Sequence, residues 1–124
     1  MTPRLEAFRQ ALRAYGYIEG QNILIETRHE SSNLGRLPEH AAELLAGKPD
    51  VFVAVTTNAA QAAKKVAGSI PVVFMGVTDP VTAGLVESLA RPGRNVTGVT
   101  NMAAVLTGKR LELLKEAVPQ VSRV

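Results

Sequence analysis

Ile70-Pro71-Val72-Val73-Phe74-Met75-Gly76-Val77-Thr78-Asp79-Pro80 is the stretch that decides the fold. Pro71 opens it, and the apolar run Val72 to Met75 fits a strand buried on both faces. Gly76 to Thr78 loosen the chain. Asp79-Pro80 then has the chemistry of a helix start, with a side-chain acceptor at the N-cap and proline at the first helical position. A buried strand therefore delivers polar groups to a helix N-terminus. In parallel α/β sheets such junctions bind ligands, because free backbone N–H groups and the positive end of the helix dipole face a crevice.

The flanking sequence repeats this unit. Leu5, Phe8, Leu12 and Tyr15 recur at helical spacing, so residues 3 to 15 read as an amphipathic helix started by Thr2-Pro3 and stopped by Gly16. Asn22 to Arg28 alternates Ile23, Ile25 and Thr27 with Leu24, Glu26 and Arg28, which predicts an edge strand. Arg36 to Ala46 reads as a second helix, with Pro38 in its first turn, and Val51 to Val55 as a wholly apolar strand. After Thr56-Thr57-Asn58 comes a helix with Ala59, Ala62, Ala63 and Val66 facing the sheet, small enough for close approach. Beyond the opening stretch, Val81 to Leu89 is expected as a helix, Asn95 to Thr100 as a short strand weakened by Gly98, and Thr107 to Val118 as a final helix. The alternation predicts an α/β fold: a mostly parallel, flavodoxin-like sheet of about four strands with helices on both faces.

The totals agree with one such domain. A chain of 124 residues buries roughly two thirds of its unfolded surface. The 46% hydrophobic fraction rests on Ala, Val and Leu, with three Phe, two Tyr and no Trp, so the core is built from small aliphatic layers. The 14 basic residues are interspersed with 11 acidic ones, giving a net charge of +3 without a clustered basic face, which argues against a nucleic-acid partner. There is no cysteine, hence neither a disulfide framework nor thiolate chemistry. The first residues carry no apolar signal core and no run approaches membrane-spanning length, so as written the chain has no export route.

Gly16-Tyr-Ile-Glu-Gly-Gln-Asn22, Leu37-Pro38, Pro49-Asp50-Val51, Ile70-Pro-Val-Val-Phe74, Asp79-Pro80, Ser88-Leu-Ala-Arg-Pro-Gly93, Asn95-Val-Thr-Gly98 and Gly108-Lys-Arg-Leu-Glu-Leu-Leu-Lys-Glu-Ala-Val-Pro119 together resemble the substrate-binding proteins of bacterial ABC transporters, of the tryptophan- and tyrosine-binding kind. The resemblance runs through nearly all of the chain in order. It implies a type I periplasmic-binding-protein fold: secreted or lipid-anchored two-lobe receptors that close on amino acids or related solutes by a hinge motion and deliver them to an ABC permease. It also implies that residues 1–101 are the first ligand-binding lobe without its opening strand, and that residues 102–124 are the hinge segment and first helix of the second lobe. In the family's order the absent strand lies between Asn22–Arg28 and Val51–Val55. Its slot would leave unpaired backbone groups, which predicts a homo-oligomer or a strand-swapped dimer.

The resemblance implies ligand groups on three strand-end loops. Thr56, Thr57 and Asn58 follow the second strand; the family commonly has Gly, then Ser or Thr, then Pro here, so Thr57 matches while Thr56 and Asn58 depart. Hydroxyl and N–H groups at a helix start suit a carboxylate, although Thr57 or Asn58 serves equally as a cap. Thr78 and Asp79 follow the third strand, Asp79 either receiving an amino group or capping the next helix. Thr100 and Asn101 follow the last strand and either touch ligand or shape the hinge.

Other chemistries find little support. Gly108-Lys109-Arg110 imitates a phosphate loop, but Ala103 stands where a glycine is required and Arg110 where Ser or Thr would hold magnesium. No Gly-x-Ser-x-Gly is present, and His29 and His40, expected as solvated surface residues, lack a nucleophile or cysteine to join them into a catalytic or metal site. No cofactor is expected. The leading reading is a solute-binding component that does not transform its ligand. The alternatives are a self-associating fragment without ligand binding, and a flavodoxin-like enzyme or phosphoacceptor using Asp79.

Overall fold

The computed structural model describes residues 2 to 124, leaving aside the side chain of Ala104; Met1, where the expected first lobe begins, lies outside them. The elements are α1 (Pro3–Ala14), a 3₁₀ turn (Leu34–Arg36), α2 (Leu37–Ala46), β1 (Phe52–Val55), α3 (Thr57–Ala67), β2 (Val72–Val77), β3 (Val96–Thr100) and α4 (Ala103–Ala117). The fold is α/β with a parallel sheet in the order β1-β2-β3, so the opening stretch forms the central strand.

Alternation along these strands sets the core. Phe52, Ala54, Val72, Phe74 and Val96 point to one face and are buried. Ala60, Ala63 and Ala67 of α3 meet them there, one helical turn apart and with no side chain beyond Cβ to hold the helix off. α2 packs on α3 and sends Leu44 and Leu45 to the margin of the same cluster. The opposite face is open among the described residues. Val53 and Val55 are 44% and 36% exposed and Val99 is 70% exposed. The strand expected to be buried on both faces is thus fully buried on one, with Val73 and Met75 half-buried on the other.

Gly98 has a positive reason to be glycine. It lies opposite Phe74 across the β2–β3 ladder, and a β-carbon there would stand 2.1 Å from the Phe74 carbonyl oxygen and 2.5 Å from its ring. At the start of the same strand, the Asn95 side-chain amide donates to the carbonyls of Gly68 (2.9 Å) and Ile70 (2.8 Å), fixing β3 to the loop that enters β2.

Two expected elements differ. Among the described residues, Asn22–Arg28 is not an edge strand, and the sheet has three strands rather than about four. Its one backbone pairing is an isolated bridge between Glu19 and Ile23. A strand is defined by a ladder, and this stretch lies beside α2 with no strand next to it among the described residues. Val81–Leu89 is not a helix either. After Pro80 the chain makes one turn and stops at Gly84, whose φ is +74. Leu85 N–H bonds to the Pro80 carbonyl and Gly84 N–H to that of Val81, the paired bonds that end a helix through a left-handed residue. α4 is longer than expected, starting at Ala103.

Gly98→Ala is expected to destabilise the fold by about 1–3 kcal/mol, because the ladder leaves no space for a methyl group. Chemical denaturation should give a lower midpoint at unchanged slope; an unaltered midpoint would mean that β2 and β3 separate at little cost.

Candidate functional site

Three parallel strands end on one edge of the sheet, and each hands the chain to polar residues. Val55 of β1 pairs with Met75, and Val77 of β2 pairs with Thr100 at the end of β3. The loops at Thr56–Asn58, Thr78–Asp79 and Thr100–Asn101 therefore leave the sheet side by side, at a strand spacing of about 4.8 Å.

The first loop is tight. Thr56 donates its amide to the Met75 carbonyl (3.0 Å), accepts the Ala60 amide on its own carbonyl (3.1 Å), and accepts the Ala59 amide on its hydroxyl (3.4 Å). To do all three it adopts φ 89, ψ 159, a conformation that is essentially glycine's. The amides of Thr57 and Asn58 in the first turn of α3 are left over by helix geometry. The Thr57 hydroxyl and the Asn58 side chain have no hydrogen-bond partner among the described residues.

The second loop begins inside β2. The ladder to β3 slips between Met75 and Val77, where Gly76 at φ +69 is inserted as a bulge. Past it, Asp79 accepts the Thr82 amide on its carboxylate (3.1 Å) and the Ala83 amide on its carbonyl (3.0 Å). The Thr82 amide, then the Thr82 side chain, hold the Asp79 carboxyl below its ordinary value. Asp79 thus caps a single turn. The Thr78 hydroxyl beside it has no hydrogen-bond partner among the described residues.

The third loop is committed to the crossing. The Thr100 hydroxyl lies 2.6 Å from the Val77 carbonyl and accepts the Met102 amide at 3.0 Å, while Asn101 accepts the Ala103 amide at 3.0 Å. Met102, at φ 52, opens α4 in the left-handed region.

Some residues of this region carry no signal in the sequence pattern. Gln61 donates to the Ala83 carbonyl at 3.1 Å and the Lys64 ammonium donates to that of Gly84, so the flank of α3 holds the turn after Asp79. Asn58 also borders a shallow groove of about 350 Å³ between α2 and α3, walled by Leu34, Leu37 and Pro38 and bounded by Gln61 and Lys65. His29 is exposed as expected, but His40 is not a solvated residue. Its side chain is 13% exposed, with its ring nitrogens 3.7 Å from Glu30 and 3.8 Å from Glu43 and no hydrogen-bond partner for either. α2 and the loop before it close over the ring. Glu30 itself accepts the Ser32 and Asn33 amides, which bring its carboxyl down to about 2. No three His, Cys, Asp or Glu residues among those described could hold a metal.

A parallel sheet that presents polar loops from adjacent strand ends, with glycine-type backbone at the first of them, is the architecture of a small-molecule binding lobe. Comparison with known proteins makes this specific. Residues 1–124 match the family described as ABC transporter substrate binding protein, and the chain belongs to that family. A tyrosine-binding protein of Clostridioides difficile is 35% identical over 119 residues, covering 96% of this chain and 34% of the relative. Among solved structures, a conserved domain protein from Vibrio cholerae has 38% identity and a TM-score of 0.83, covering 98% of this chain and 42% of its own. The ligand-free, open structure of a substrate-binding protein with adhesive properties from Clostridium difficile has 35% identity and a TM-score of 0.80, covering 97% and 41%. A streptococcal ABC domain in complex with L-Trp has 30% identity and a TM-score of 0.70, covering 81% and 35%. The chain spans about a third of the length of the curated relative. These are binding proteins rather than enzymes, which removes the phosphoacceptor reading of Asp79. No helix of the described residues is long and apolar enough to cross a membrane.

Two outcomes follow from the loop geometry. Thr56→Gly should raise the thermal midpoint, relieving about 1–3 kcal/mol of backbone strain against a weak cap and the added freedom of the unfolded chain; a fall would mean that the hydroxyl cap outweighs the strain. The Asp79 carboxyl lies below its ordinary value near 3.8. Its contribution to the turn is therefore complete above that pH and is lost as pH falls through the lowered folded value. Amide exchange at Thr82 should speed up only on that acid side and be independent of pH there in Asp79→Ala, after correction for intrinsic exchange.

Proposed function

We propose that this chain forms one side of the ligand cleft of an ABC importer's solute receptor, binding a small amino-acid-like ligand at the C-terminal ends of its strands. Residues 1–101 act as the ligand-binding lobe, and 102–124 as the hinge segment with the first helix of a second lobe. The observation that carries the reading is the set of uncommitted groups on adjacent loops: the Thr57 and Thr78 hydroxyls, the Asn58 side chain and the first amides of α3. These donors lie at or beside the positive end of a helix and suit a carboxylate. The side-chain amide nitrogen of Asn101, whose oxygen is engaged with Ala103, adds a further donor. Thr56, Asp79 and Thr100 have hydrogen bonds of their own and shape the loops that carry the others.

Two relatives suggest which ligands to test first, since one is named as tyrosine-binding and another holds L-Trp. As a receptor of this family the protein works outside the cytoplasm, and its macromolecular partner is the permease that accepts the ligand.

NMR titration of the chain with tyrosine and tryptophan should move the amide signals of Thr57, Asn58 and Thr78 together. Thr57→Ala should weaken binding roughly tenfold to a hundredfold, the worth of one hydrogen bond to a charged group. A folded chain whose signals do not move with either amino acid, or a Thr57→Ala variant of unchanged affinity, would overturn the assignment.

A further inference from the structure

The turn that follows Asp79 stops at Gly84, and among the described residues no backbone amide bonds to the carbonyls of Ala83 or Gly84. Both are satisfied from α3 instead. The Gln61 side-chain amide donates to the Ala83 carbonyl at 3.1 Å, and the Lys64 ammonium donates to the Gly84 carbonyl. Gln61 and Lys64 stand three residues apart, so they reach out from one flank of the helix. Thr57 precedes Gln61 by four residues and Lys64 by seven, which puts it at the head of the same stripe. One face of α3 thus carries the Thr57 hydroxyl, without a partner among the described residues, and then the two side chains that grip the turn beyond Thr78.

Apolar contact alone does not fix the orientation of this turn. Pro80 is buried, and Leu85 and Val86 join the core, but burial is non-directional and lets the turn rock about those side chains. The Asp79 cap is internal to the turn, since it ties Asp79 to Thr82 and Ala83. The bonds from Gln61 and Lys64 are directional and join the turn to a neighbouring element. On its other side Thr78 is tied to β3, the Thr100 hydroxyl lying 3.2 Å from the Thr78 carbonyl.

We propose that Gln61 and Lys64 are positioning residues for the ligand. By bonding to Ala83 and Gly84 they set the Thr78 hydroxyl in place relative to the start of α3 before any ligand arrives. Donors from two loops then meet one carboxylate without a loop having to be ordered on binding. The inference rests on the ligand reading of Thr57 and Thr78, and it adds residues that touch no ligand. The Lys64 Cα lies about 10 Å along the helix from that of Thr57, and its ammonium is engaged with Gly84. Lys65 provides the contrast: it borders the groove between α2 and α3 and makes no hydrogen bond or ion pair among the described residues. The charge of a lysine would act from either position, whereas the bond to the turn acts from Lys64.

Calorimetric titration of the 124-residue chain with tyrosine and tryptophan tests this. Lys64→Met keeps the aliphatic stem and removes the donor, and Gln61→Met does the same for the amide. Each should weaken binding of whichever amino acid the wild type takes up by roughly threefold to tenfold, the worth of one hydrogen bond. Lys65→Met should leave the affinity unchanged. In a Thr78→Ala background the loss from Lys64→Met should disappear, because no hydroxyl remains to be positioned; a merely structural role would cost the same with or without it. Wild-type affinity in Lys64→Met and Gln61→Met, an equal loss in Lys65→Met, or a Lys64→Met loss that survives in Thr78→Ala would each overturn the positioning role while leaving the ligand reading in place. A wild type that takes up neither amino acid would overturn both. Should Gln61→Met fail to fold, Lys64→Met, at an exposed position, decides.

Discussion

The contact between the alanine face of α3 and the buried side of the sheet is the constraint on which the rest of the structure depends. Ala60, Ala63 and Ala67 present nothing beyond a methyl group, so α3 settles close to Phe52 and Phe74. The closeness fixes the direction in which α3 leaves β1, and with it the position of its first turn over the strand ends. Larger side chains on that face would lift the helix and move its free amides away from the loop after β2. The glycine at position 98 works in the same sense from β3, letting the Phe74 ring lie flat across the ladder.

Local conformation at the strand ends follows from this packing. Thr56 is bound at once by the ladder and by the first turn of α3, and the residue accepts a glycine-like backbone because both partners are already fixed. Gly76 lengthens β2 by one residue, so Val77 stays buried while Thr78 emerges at the rim. Gln61 and Lys64 then hold the turn that follows. Polar groups at the strand ends thus divide into those that hold the loops and those without a hydrogen-bond partner among the described residues.

Most of the architecture is legible in the sequence because it is written in short-range patterns. The apolar runs at 52–55 and 72–77, the alanine spacing of α3 and the Thr2-Pro3 start of α1 each determine an element locally. The departures arise where the outcome depends on residues far away or on a single stereochemical detail. Ile23 to Thr27 has the alternation of a strand, but a strand also needs a neighbour, which alternation cannot supply. Val81 to Leu89 has helical spacing, yet Gly84 turns left-handed and ends it after one turn. At the site, the threonines and Asp79 could be picked out from their place after apolar runs. The clamp by Gln61 and Lys64 could not, since it joins α3 to a turn some twenty residues later, and the burial of His40 comes from a loop folding back over α2.

Among the described residues, α4 is fastened at its N-terminal end. Thr100 and Asn101 bond to the amides of Met102 and Ala103, Thr100 also reaches the end of β2, and the helix makes at most marginal contact with any other element. Mechanically it is a lever: 15 residues extend about 22 Å, so a rotation of roughly 10° at Met102 swings its far end by about 4 Å. The pivot shares the Thr100 hydroxyl with the carbonyls of Val77 and Thr78. A rotation of α4 about Met102 would therefore act through the Thr100 hydroxyl on the end of β2 that carries Thr78.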